Sequence, residues 1–419
     1  MNYLNDFKII KSVSIKIFTI FLLGILIMPF TFGQYYQILF LLIFLFLFLF
    51  SKDIFIKKEI VFVYCLLLAY LSLYSFDKYN SDFRSIIANV GFIFLPVSLF
   101  RFFIYAKDKK SLSHIIYATY IFITIISLTS IIGLLQFPYA TRALAGSLAA
   151  VGQTDLIMFY RARGIAEYGF FYGVSIAIPV FIASMFNSTK PKKLMIILML
   201  IIFSIALILS QLMTAILFVP VGIISVLIIK KRRTIFLNLI FIILFLMIIL
   251  FNQILASLVA DFMIYFGSNM SGELDVVSSK IVDLGNILKY GTGSGGSASV
   301  RIDLSSFALS EAINTNFLGG GKSSGHAFWL DQLSMYGVFV IIPWVMIIGG
   351  QISYVSKKLR LNNKYPYYIS MSLFVLMGFL KNMGGPVFYM IIFFVIPGTL
   401  LIKNDEFWIN YNKKQARVY

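Results

Sequence analysis

The chain has 419 residues, 60% of them hydrophobic and 12% charged, with a formal net charge of +18 and a single cysteine. A mean hydropathy of +0.92 leaves too few polar residues to cover a water-soluble fold, which excludes one and points to an all-α integral membrane protein. Cys65 lies in an apolar run, so disulfides, thiolate metal sites and haem attachment are excluded as well.

Lys8, Lys11 and Lys16 precede an apolar run that continues to about Phe32 without an A-x-A site, the pattern of a retained anchor rather than a cleaved signal. A spanning helix needs roughly 20 mainly apolar residues. That criterion predicts about twelve spans: 14–32, 34–50, 60–76, 85–106, 112–136, 168–186, 194–210, 212–229, 234–256, 333–354, 365–381 and 386–402. The pair around Gln211 also reads as one broken helix, and only NMGG separates the last two. The chain then divides into spans one to five (1–136), a first large loop (137–167), spans six to nine (168–256), a second large loop (257–332), spans ten to twelve (333–402) and a tail (403–419).

Lysine and arginine set the orientation. The N-terminus, 51–59, 107–110, 190–193, 230–233, 357–364 and the tail hold 24 Lys/Arg against six Asp/Glu, whereas the other side holds ten against eleven. Both termini are therefore expected in the cytoplasm, and the two large loops on the outer side. The basic runs are retention signals beside anionic headgroups rather than a nucleic-acid surface.

Loops longer than about 15 residues are usually functional or disordered, and these two mix apolar pieces with charge. In the first, RARGIAEYG places Arg161, Arg163, Gly164 and Glu167 just ahead of the sixth span. Such a group either pairs with itself or binds an anion, since guanidinium forks hold phosphate oxygens bidentately; Gly164 would let backbone come close. In the second, Arg301 follows the GTGSGG linker (291–296) and opens a short helix, with Asp303 near its start and Ile302, Leu304, Phe307, Leu309, Ala312 and Ile313 on one broad face. GGGKSSG then leads to His326, seven residues before the tenth span. An imidazole exchanges protons near neutrality, which makes His326 the candidate base.

GGGKSS lacks the leading glycine and the preceding strand of a P-loop, and GTGSGG lacks a βαβ context. Arg101 is expected to snorkel to the inner interface. His114 reads as a helix-terminus residue, and Lys381, at the outer end of the eleventh span, is a lesser candidate for the same anionic cavity.

Together these residues resemble the motifs of the O-antigen polymerase and O-antigen ligase superfamily. Arg301, Gly319, Gly321, His326, Trp329, Leu330 and Gly337 match an Arg, a short helix, a Gly turn and a His with a Gly eleven residues on. Arg161 with Gly164, as R-x-x-G, is similar to the other motif. Ala327 stands where the family often has Asn, and IAEYG follows the R-x-x-G in place of a proline turn, so Arg161 and Arg163 remain alternative counterparts.

The resemblance implies a glycosyltransferase of the bacterial inner membrane, its two large loops in the periplasm. It would transfer a growing glycan from undecaprenyl diphosphate to the non-reducing end of a lipid-linked repeat unit. His326 and Arg301 would be catalytic, Arg161, Arg163, Arg301 and Lys322 would hold the diphosphate, and Gly164, Glu167, Gly319, Gly321 and Trp329 would support them. The implied partners are the lipid-linked oligosaccharide, membrane lipid and a chain-length regulator protein. No cofactor is expected, and the absence of an Asp or Glu cluster with ligand spacing predicts a metal-independent reaction. A ligase acting on lipid A core shares the motifs, and a repeat-unit flippase shares the span count. A flippase would place ionisable residues inside its helices. A lipid-binding assembly protein would need the arginines but not His326.

Overall fold

The computed structural model describes residues 58–74, 83–138, 154–186, 188–229, 253–270, 275–290, 297–383 and 385–404, with short pieces at 16–24, 140 and 407–408. Among the described residues every regular element is helical. The order is α1 (Lys58–Tyr74), α2 (Phe83–Tyr105), α3 (Lys109–Gln136), α4 (Thr154–Ala162), α5 (Tyr168–Phe186), α6 (Lys190–Ser210) and α7 (Met213–Ile229). It continues with α8 (Gln253–Ser268), α9 (Asp275–Tyr290), α10 (Ser297–Asn314), α11 (Phe328–Tyr336), α12 (Val338–Ser356), α13 (Leu361–Leu380) and α14 (Pro386–Leu401). Four of these, α3, α5, α6 and α12, are long and apolar enough to cross a membrane; α14 and parts of α1, α2, α7 and α8 are apolar but shorter. The predicted span 34–50 and most of 14–32 and 234–256 lie outside the described residues, as does the 291–296 linker.

Two compact units divide the chain. The first comprises Met1–Gly222, Phe339–Leu376 and Met383–Tyr419; the second comprises Ile223–Val338 and Met377–Asn382. In the first, α5 is buried from Gly169 through Ser184 without a solvated stripe, as expected of a helix apolar all round. Its neighbours meet it where side chains are small or flat. A Cβ at Gly173 would stand 2.9 Å from Ile391 of α14, and one at Gly222 of α7 would stand 3.1 Å from the Pro179 ring. Phe170 and Phe171 stack on Phe203 of α6, and Phe181 on Tyr120 of α3.

These contacts resolve the Gln211 ambiguity. Phe171, near the start of α5, meets Phe203, near the end of α6, so the two run antiparallel. Gly222, nine residues into α7, then lies against Pro179, eleven residues into α5. At about 1.5 Å per residue these are matching depths, so α7 turns back and meets α5 at Gly222. Gln211, with a φ of 54°, is the left-handed cap where the chain reverses. Phe374 of α13 likewise packs on Phe388 and Phe393 of α14, making the last pair a hairpin. A π-helical turn, Ile391–Val395, interrupts α14. Gln351 of α12 donates to the Phe393 carbonyl there, supplying one of the partners that a widened turn loses.

The second unit departs from its reading as a loop with one short helix. It holds α8 and α9, packed closely because Gly285 and Gly267 leave no side chain between them, and α10 and α11 beyond. The face of α10 that packs is not the one of large apolar residues. Ala308 and Ala312 are fully buried, while Phe307, Leu309 and Ile313 are exposed, because only alanine admits close approach. The tenth span also starts later than predicted: α11 is separate and ends at Gly337, where a φ of 67° breaks the helix before α12. Arg101 does not snorkel; it is buried, its guanidinium against the Tyr354 ring. His114 lies in the second turn of α3, exposed, 3.4 Å from the Lys16 ammonium.

Candidate functional site

The arginines of the first large loop sit at the end of α4, and their spacing has a local cause. The Gly164 N–H donates to the Arg161 carbonyl at 2.9 Å and the Ile165 N–H to the Tyr160 carbonyl at 3.4 Å. This pair of bonds, with Gly164 at a φ of 70°, is a Schellman ending, in which glycine takes the left-handed position. The glycine of R-x-x-G thus closes a helix whose last turn carries the arginine. The same glycine touches α3: a Cβ there would lie 2.8 Å from Thr129 Cβ and Oγ1. Thr129 Oγ1 donates to the Gly164 carbonyl at 2.8 Å, and the Ala166 N–H donates to Ser130 Oγ at 2.9 Å. The close approach expected of Gly164 is therefore made by Thr129. Replacing Gly164 with Ala adds left-handed strain to this clash and should destabilise the protein by more than about 2 kcal/mol, read as a lower midpoint of thermal unfolding; an unchanged midpoint would refute the assignment.

The two arginines are in different states. Arg161 forms an ion pair with Glu167, Nη2 to Oε1 at 2.7 Å, both side chains about one-third exposed (36% and 33%). Arg163 is exposed and lays its guanidinium over Phe159 at 3.5 Å, with Phe137 at 5.2 Å. Stacking occupies the face of a guanidinium and leaves its edge N–H groups for an oxyanion. Among the described residues no carboxylate pairs with Arg163.

In the second unit the glycine turn folds back on α11. The Gly320 N–H donates to the Met335 carbonyl (2.8 Å), Gly321 to Ser334 (3.0 Å) and Val338 to Phe317 (3.0 Å). Lys322 is held at both backbone groups: its N–H by Glu311 Oε2 (3.0 Å) and its carbonyl by Ser334 Oγ (2.8 Å). The amides of Gly320, Gly321 and Lys322 are thus spent on protein acceptors, which agrees with setting the P-loop aside. Gly319 and Gly321 are required by proximity, since their Cβ atoms would come within 2.8 Å of the Tyr336 carbonyl carbon and 2.7 Å of Ser334 Oγ. The Lys322 side chain is exposed, and Trp329 is buried edge-on to Phe328, 4.8 Å between centroids.

His326 stands exposed at the end of this turn, its backbone N–H donating to Ser324 Oγ at 3.2 Å. Two residues on, the Phe328 N–H donates to the Lys381 carbonyl at 3.1 Å. Lys381 is thereby fixed beside the His326 turn, which its position 55 residues away did not reveal. The backbone of Arg301 lies in α10 two turns ahead of Ala308; its side chain is outside the described residues. Asp331, which the sequence did not single out, is buried behind the turn and accepts from both the N–H and the hydroxyl of Ser324. Its only sequence signal is that it is the one charge in FWLDQLSMY.

These features define an all-helical protein with membrane-length apolar helices, an exposed histidine on a pinned glycine turn and an arginine pair on a helix end. Comparison with protein-family models, with curated proteins and with solved structures finds no match.

Proposed function

We propose that the chain is a polysaccharide polymerase of the bacterial inner membrane. It would move a growing glycan from undecaprenyl diphosphate to the non-reducing end of a lipid-linked repeat unit at the periplasmic face. The twelve-span topology with cytoplasmic termini belongs to the same proposal. The observation that supports it best is the His326 turn, where an exposed imidazole is carried on a backbone anchored to α10, α11 and Lys381. In this reading His326 takes the proton of the acceptor hydroxyl as the bond from the sugar to the donor phosphate breaks. The leaving diphosphate gains charge, and fixed guanidinium groups stabilise that charge more in the transition state than in the ground state. The candidates for that role are Arg161, Arg163 and Arg301, with Lys322 as a further cation.

Arg163→Ala should lower polymerisation roughly 10²- to 10³-fold. Arg161→Ala removes an ion pair about one-third exposed that contributes at most about 1 kcal/mol to stability, so a loss of polymer with unchanged protein level would place Arg161 on the substrate. Wild-type activity in both variants would remove the loop from the mechanism. Purified protein is expected to polymerise fully in the presence of a chelator; strict dependence on a divalent ion would overturn the metal-free reaction.

The decisive test is the surface polysaccharide of a deletion strain resolved by length. Glycan capped with one repeat unit supports polymerase. Long chains held on the lipid carrier with none on core indicate the ligase. An unchanged ladder ends both readings.

A further inference from the structure

We infer that Asp331 is a positioning residue, holding the backbone that carries His326 through its hydrogen bonds to Ser324; this rests on the reading of His326 as the base. The carboxylate is 5% exposed in the first turns of α11. Its Oδ1 accepts from the Ser324 N–H at 2.6 Å and from the Ser324 hydroxyl at 2.8 Å. Ser324 Oγ in turn accepts the His326 N–H at 3.2 Å. A short relay therefore runs from a buried charge to the backbone of an exposed imidazole.

The rest of the loop does not need this relay. Residues 317–322 are already tied to α10, α11 and the first residue of α12 by the bonds of Gly320, Gly321, Lys322 and Val338, and Phe328 is tied to Lys381. Between these anchors Ala327 is buried, but the tip of the turn is not: Ser323, Gly325 and His326 are exposed, and Gly325, with a φ of 72°, has no atom within 4 Å of where a Cβ would stand. The Asp331 bonds are what ties 324–326 back to a helix. Oδ2 of the same carboxylate is buried without a hydrogen-bond partner among the described residues, an arrangement that is unfavourable for folding. Its use is a rigid acceptor behind a turn whose tip, Gly325 and His326, is exposed.

The test uses purified full-length protein in nanodiscs, as wild type, Asp331→Ala, Asp331→Asn and Ser324→Ala. Amide exchange over 322–328 is measured beside kcat and KM with an undecaprenyl-diphosphate-linked repeat unit. Asp331→Ala should speed exchange at 324–326 while α10 and α11 stay protected. A misplaced base should lower kcat about 100-fold with KM changed less than about threefold. Asn keeps the acceptor oxygen and should restore most of the protection and of kcat. Ser324→Ala breaks the relay at its middle and should loosen His326 even if Asp331→Ala does not accumulate. Unchanged exchange at 324–326 overturns the inference, and so does a loosened turn with wild-type kcat. An Asn variant as inactive as Ala with its turn still protected would assign the charge rather than the hydrogen bonds, and overturns it too. If wild type and His326→Ala behave alike in polymerisation, the functional reading has failed, and the exchange data alone decide whether Asp331 holds the turn.

Discussion

His326→Ala, restored to a strain lacking the native gene, is expected to leave surface glycan at a single repeat unit while the protein accumulates at its normal level. The two halves of this expectation have separate grounds. The side chain is exposed and, among the described residues, the tie to this residue is from its backbone N–H to Ser324, so truncation removes little packing and exposed changes of this kind stay within about 0.5 kcal/mol. A general base contributes roughly 10²- to 10⁴-fold to rate, more than enough to collapse a ladder that needs many successive transfers. His326→Gln should behave as Ala does, because an amide cannot take the proton. A normal ladder in both variants would leave the lipid-binding or assembly reading, for which the imidazole is dispensable.

Gly337→Val is expected to prevent the second unit from folding, and for reasons unconnected with chemistry. Gly337 ends α11 at a φ of 67°, where a β-branched residue is a steric outlier. A Cβ there would stand 2.5 Å from the Leu318 carbonyl carbon, 2.5 Å from the Phe317 carbonyl oxygen and 2.8 Å from the Gly319 nitrogen. All three are backbone atoms in the turn bonded to α11, so no rotamer change relieves the clash. The combined penalty should exceed about 4 kcal/mol, in the range reserved for broken special positions. The checks are protein level and thermal unfolding. Gly325→Ala is the internal control: its φ is also positive, at 72°, but the space around it is open, so it should cost only the left-handed penalty of about 1–2 kcal/mol. Equal losses at the two positions would show that strain rather than close approach governs Gly337.

The glycine eleven residues after the histidine, which the sequence offers only as a motif position, is thus explained by packing, as is Gly164 of R-x-x-G, which the sequence reads as supporting the site. Helix positions were legible because they are local properties. Apolar runs predicted 168–186 as observed, and 60–76, 85–106, 112–136, 194–210, 365–381 and 386–402 within a few residues of α1, α2, α3, α6, α13 and α14. Boundaries failed where a single left-handed residue cut an apolar run, as Gly337 separates α11 from α12. Hydropathy has no term for φ.

What the sequence by itself determined was the solvent and the inventory: too few polar residues for water, helices of membrane length, and a histidine and arginines gathered in the two stretches of mixed polarity. Only the tertiary structure decided which of those groups is held by what. Arg161 meets Glu167, Arg163 is stacked on Phe159, and Gly164 is closed by Thr129 from 35 residues away. Lys381 is fixed beside His326, and Asp331 is turned back onto Ser324. The division has a physical cause: burial and helical period are written residue by residue along the chain, whereas a hydrogen bond or a close approach depends on which distant surface the folded backbone brings within about 3 Å.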